Sequence, residues 1–175
     1  MLNGERIESP EEELKRADHL VFVSLKYTRT CDVMKNAIKR MIASFELAFH
    51  EHLELQREKK KIEDVPASAK ERAMLTKDLL GPTARKYFGL YNHLKKIDEA
   101  DFQAFEEFRK NVTLKTKTSP SISVKMPDLV HYFRLAVGRG RNLERKPVAV
   151  RQFAVAITVL VHVAEDVEQR LGAGR

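Results

Sequence analysis

Between Val33 and Leu53 the apolar residues recur at helical spacing without interruption. Met34, Ile38, Met41, Ile42, Phe45, Ala48, Phe49 and Leu53 form one stripe, and Lys35, Lys39, Arg40, Glu46 and Glu51 occupy much of the remaining circumference. A strand would scatter that set over both faces, because its side chains alternate. The stretch therefore predicts a long amphipathic helix whose stripe must be covered by other helices. It runs on into Arg57 to Asp64, a mixed-charge stretch with no apolar period that is expected to project past the core, and Pro66 is expected to end it.

The flanking segments read the same way. Ser9, Pro10 and Glu11-Glu12-Glu13 make a helix start: a hydroxyl cap, a proline at the first position and carboxylates at the positive end of the dipole. Leu14, Ala17, Leu20, Val21 and Leu25 continue it, and a break is expected near Arg29 to Asp32, where Tyr27, Thr28 and Thr30 lower helix propensity. Ser68 and Glu71 predict a capping box for a third helix that stops at Gly81-Pro82. Tyr87, Leu90, Tyr91, Leu94 and Ile97 predict a fourth, and Asp98 is expected to cap a fifth carrying Phe102, Phe105, Phe108 and Val112. By spacing, the rings of both stripes read as core.

From Thr113 to Lys125 the period changes. Leu114, Thr116 and Thr118 alternate before Ser119-Pro120-Ser121, and Ile122 and Val124 alternate after it, as in a loop or small hairpin. Pro127 opens a further helix through Phe133 and Val137 that ends at Gly138, and Pro147 opens an apolar final one reaching Leu171. Seven Gly and six Pro in 175 residues are too few for the frequent turns of an all-β chain. The expected fold is all-α: a single domain over 1–175, a multi-helix bundle of about six to seven helices. It has a loop or hairpin at 113–125 and a basic loop at 138–147.

A lone cysteine, Cys31, rules out an internal disulfide and any Cys-based zinc site and fits a reducing compartment, so the cytoplasm is the expected location. Met1 to Glu13 is acidic without an apolar signal-like run, and Phe153 to Ala164 is too short to span a bilayer, so no membrane association is expected. His50 and His52 would point about 200° apart on a helix, and no His-Glu-x-x-His or paired Glu-x-x-His spacing exists, so neither a metal nor another cofactor is predicted. Glu46 with His50, and His162 with Asp166, have the spacing of hydrogen-bonded helix pairs. Should the chain carry catalysis, Tyr27, Arg29, His19 and Asp32 are the group to inspect, since the Tyr27-Thr28-Arg29-Thr30 interruption departs from an otherwise regular helix. No catalytic assignment follows from local motifs.

Charge placement is the functional signal. Arg109 to Arg151 holds eleven Lys or Arg against two acids, Asp128 and Glu144, whereas residues 1–108 hold nineteen against twenty. Arg134, Arg139, Arg141, Arg145, Lys146 and Arg151 gather around Gly138-Arg139-Gly140-Arg141, where glycine admits close backbone approach and guanidinium forks match phosphate oxygens. Lys115 and Lys117 add cations from the 113–125 segment. Gly138 and Gly140 follow a helix and lack the third glycine of a dinucleotide fingerprint, so no nucleotide pocket is implied.

A helical module with a basic face resembles the HEPN superfamily of RNA-cleaving or RNA-binding domains. That resemblance implies an RNA-facing surface without nuclease activity, because the family's mark is an arginine followed after about four to six residues by a histidine, and no histidine in this chain satisfies it. Arg85 and His93, separated by seven residues, do not meet that spacing. The sequence thus predicts a non-enzymatic protein that binds RNA or DNA backbone, or another polyanion, through 109–151. Self-association or adaptor packing through the long second helix and the final helix, as a homodimer for instance, is the alternative.

Overall fold

The computed structural model describes residues 9–138. The expected final helix from Pro147, the His162–Asp166 pair and all of the 138–147 loop beyond Gly138 lie outside the described residues. Within them the chain forms five helices and a three-stranded antiparallel sheet, so the all-α expectation is corrected to a mostly helical fold with a small β element.

Helix α1 runs over Pro10–His19, passes through a π-helical turn at Leu20–Ser24 and ends with the turn Leu25–Tyr27. The Ser9 hydroxyl accepts from the Glu12 amide at 3.3 Å, the cap that the sequence implies. The expected break falls at Thr28–Thr30, after which the Thr30 hydroxyl accepts from the Val33 amide and starts α2, Cys31–Glu58. That helix ends before Pro66 is reached. Lys60 turns left-handed at φ 57°, and the Lys61 amide bonds back to the Gln56 carbonyl, satisfying an end carbonyl without the proline.

Helix α3 spans Ala69–Leu80, but Ser68 makes no side-chain cap bond, so the expected capping box does not form. Instead the Arg72 guanidinium reaches back to the carbonyls of Pro66 and Ala67 and ties down the approach to the helix. A 3-10 turn at Gly81–Ala84 leads into α4, Arg85–Glu99.

The predicted fifth helix over Phe102 to Val112 is absent. Its place is taken by strand β1, Phe102–Phe105, followed by β2, Thr113–Thr116, and β3, Ser123–Lys125, in the order β1-β2-β3. A lysine far away in sequence meets the chain where it leaves α4. Lys35, on α2, donates to the carbonyls of Ile97 at 3.0 Å and Ala100 at 3.3 Å and also to that of Asp98, which satisfies the C-terminal end of α4 where the dipole favours a cation. Its ammonium then lies 5.4 Å from the centre of the Phe102 ring, fixing where the first strand begins. The Leu114/Thr116 and Ile122/Val124 alternation is realised as the β2–β3 hairpin, with Ser119-Pro120 cis in its loop. Helix α5, Met126–Ala136, follows with Pro127 in its first turn, and Gly138 closes the segment at φ 75°.

The stripe of α2 is buried within the chain: Met34, Ile38, Met41, Phe45, Phe49 and Leu53 have almost no exposure. Leu14, Ala17, Val21 and Leu25 of α1 cover one side of it. Opposite, Phe49 stacks on Phe88 at 4.9 Å between ring centres and meets Tyr91 edge-on at 5.3 Å, locking α4 onto α2. Glu13, only 2% exposed, takes Arg16 and Arg40 as ion-pair partners and joins α1 to α2 at their polar margin.

Candidate nucleic-acid interface

Register decides which sheet residues meet solvent. Gln103 pairs with Lys115 and Lys115 with Ser123; Phe105 pairs with Thr113 and Thr113 with Lys125. These two cross-strand rows share one face, because residues of like parity along a strand point the same way. Lys115, Lys125, Gln103 and Ser123 are exposed there, Phe105 is 45% exposed, and neither row carries a carboxylate. The opposite face holds Leu114, Thr116 and Val124, which are buried. Lys117 follows directly after β2, its amide bonded to the Asp101 carbonyl at 2.7 Å and its side chain in solvent.

Beside this face the β1–β2 connection is pinned to the α1–α2 break. The Phe108 amide donates to the Arg29 carbonyl at 2.7 Å, the Cys31 amide donates to the Glu107 carboxylate at 2.8 Å, and Val112 is fully buried. The Glu107 carboxylate thereby satisfies a donor at the start of α2, where negative charge suits the dipole. Between these anchors Glu106 and Phe108 adopt left-handed backbone, φ 50° and 63°. A bulky residue there costs on the order of 1 kcal/mol, so surrounding bonds must hold it. Phe108 is left 74% exposed, and Tyr27, two residues before Arg29, is 84% exposed.

Cys31 is fully buried, its Sγ donating to the Thr113 carbonyl at 3.4 Å. Burial, followed by the negative charge of Glu107, pushes its thiol up to about 11, so at neutral pH it is an inert thiol and no nucleophile.

Of the cations singled out by sequence, Lys115 and Lys117 come to the sheet. Arg134 is exposed in the last turn of α5, roughly 12 Å of helix rise from Met126, and does not join them. Arg139, Arg141, Arg145, Lys146 and Arg151 lie outside the described residues. Of the suggested group of four, Tyr27, Arg29 and Asp32 flank the α1–α2 break, whereas His19 stands roughly 12 Å up α1 from Tyr27. Arg85 and His93 are likewise held apart on the single helix α4, and His93 is engaged with the Tyr132 hydroxyl at 3.0 Å.

His50 lies 3.9 Å from Glu54, while Glu46 accepts from the Tyr91 hydroxyl at 3.0 Å and lies 3.7 Å from Lys95. The expected Glu46–His50 pair is therefore replaced by two others. Among the described residues no cluster of three or more His, Cys, Asp or Glu is placed to hold a metal, and no helix is long and apolar enough to cross a membrane.

Phe105 and Phe108 are the residues that sequence reasoning placed wrongly. Their three-residue spacing fits the stripe of a helix, and no neighbouring residue signals a strand followed by a left-handed loop. No family model, curated protein or solved structure matches the chain.

Proposed function

We propose that the protein binds nucleic acid, without catalysis, through the basic segment 109–151, whose Lys115 and Lys125 lie on the exposed sheet face. The observation that carries this reading is the row arrangement on the sheet. Lys115 and Lys125 share an exposed face whose two strand rows carry no carboxylate, Lys117 follows beyond the strand end opposite Asp101, and among the described residues no ion pair joins an acid to any of the three ammonium groups. Phosphate oxygens are the counter-charges such a surface lacks, and replacing condensed counterions supplies the affinity. The contacts are to backbone, so sequence preference is weak.

The test is fluorescence anisotropy with generic RNA and DNA, titrated from low to physiological salt. Affinity is expected to fall steeply with salt. In the Lys115→Ala/Lys117→Ala/Lys125→Ala variant it is expected to drop about tenfold or more, the salt slope flattening by roughly 0.7 to 0.9 for each phosphate that is no longer neutralised. No binding at low salt, or a variant that binds like the parent, overturns the reading. Arg139→Ala/Arg141→Ala/Arg145→Ala, measured beside it, reports how much of the affinity the remaining cations supply.

A further inference from the structure

We infer that the nucleic acid is taken as a single strand, its bases stacking on Phe108, Phe105 and Tyr27; this rests on the nucleic-acid reading above. Three aromatic side chains stand in solvent at one corner of the molecule. Phe105 is on the cationic sheet face, Phe108 is three residues further on, and Tyr27 is joined to that loop through the Phe108–Arg29 backbone bond. Rings of this size are normally spent on core packing, and the spacing of the two phenylalanines would have allowed it in a helix.

Phe108 is also held against its own backbone preference. The bonds from its amide to Arg29 and from the Cys31 amide to Glu107 hold the loop at Phe108 and at the residue before it, and buried Val112 anchors the far end. An exposed ring on a fixed, strained base is preorganised for a flat partner, since little side-chain or loop freedom is lost on contact.

The identity of that partner follows from what separates the rings. Arg29 lies between Tyr27 and the loop, and Arg109 and Lys110 follow Phe108, with Glu106 and Asp32 as exposed acids nearby and the Glu107 carboxylate taken up by the Cys31 amide. A protein-docking patch gathers its apolar residues and excludes charge from its centre. Aromatic rings alternating with cations instead match a strand of nucleic acid, which offers a base face and a phosphate at every step. A duplex has its bases already stacked and would leave all three rings unused.

The experiment compares four probes of equal phosphate number: oligo(dT), oligo(U), an abasic deoxyribose-phosphate oligomer and a DNA duplex. The parent protein is expected to bind both base-bearing single strands at least about tenfold more tightly than the abasic strand or the duplex. Phe108→Ala/Tyr27→Ala is expected to remove most of that preference, a weakening of roughly five- to 150-fold for each of the two bases unstacked, while abasic and duplex affinities stay put. Phe108→Leu keeps an apolar side chain without the π-face and guards against a loop that fails to form; it is expected to lose the share of the preference that Phe108 supplies.

Equal affinity for all four probes, with the lysine variant still weakened, overturns the stacking inference and leaves the nucleic-acid reading standing. Absence of binding to every probe at low salt removes both. Unchanged preference in Phe108→Ala/Tyr27→Ala, together with self-association of the parent that this variant loses, assigns the rings to a protein contact and also overturns the inference.

Discussion

His93 shows how a single side chain ties stability to pH. It sits where α4 meets α5, bonded to the Tyr132 hydroxyl and edge-on to its ring at 5.2 Å. Burial, with Lys96 close by, lowers its proton affinity below the ordinary value of 6.5. In the unfolded chain the imidazole therefore binds a proton at a higher pH than it does in the fold. Its contribution to stability is fully present above about 6.5 and is lost as pH falls through that value towards the lower folded one. Urea midpoints measured between pH 7.5 and 5 should decline for the parent. They should decline less for His93→Gln, which keeps a hydrogen-bonding group for Tyr132 and does not titrate. Parallel curves for the two proteins would show that some other group governs the acid limb.

At the scale of elements, the most consequential junction is the end of α4. The carbonyls of Ile97, Asp98 and Ala100 would be left without partners there, and Lys35, with only 13% of its side chain exposed, supplies them. Lys35→Met retains the aliphatic stem and removes the donor. It is expected to cost about 2 kcal/mol in urea unfolding, the scale of removing charged hydrogen bonds at a helix end. Amide exchange in β1 should accelerate with it, because Phe102 loses the cation above its ring. A change below about 0.5 kcal/mol would mean that water caps the helix equally well. The hairpin next to it is set by shorter-range rules. Its alternating residues appear in order along the chain, and the Thr116 hydroxyl closes its loop end by accepting from the Ile122 amide at 2.8 Å.

For the whole molecule, α2 is the axis on which the other parts are mounted. α1 covers one side of it, α4 locks through the Phe49, Phe88 and Tyr91 rings, and the sheet hangs from it through Lys35 and Cys31. Phe49→Ala empties the centre of that aromatic contact and is expected to cost about 4 kcal/mol. Against a total stability of about 5–15 kcal/mol that is a large share, and thermal unfolding followed by circular dichroism should show a midpoint many degrees lower. A midpoint within a degree or two of the parent would mean that the core collapses around the missing ring.

The sequence by itself determined the parts whose cause is local. The cap at Ser9, the break before Cys31, the stripe of α2, the stop at Gly138 and the alternation around Lys115 are each written in residues within a few positions of one another. Of the proposed interface, Lys115 and Lys117 were legible in the same way, from charge placement alone. Phe105 and Phe108 were not. Their spacing satisfies a helix, whereas in the fold the segment leaves α4 at the contacts of Lys35, more than sixty positions earlier, and its loop is bonded to the Arg29 and Cys31 backbone. Only the tertiary structure placed those rings outward, because the contacts that hold their segment come from residues far away in the chain and leave no mark in local spacing.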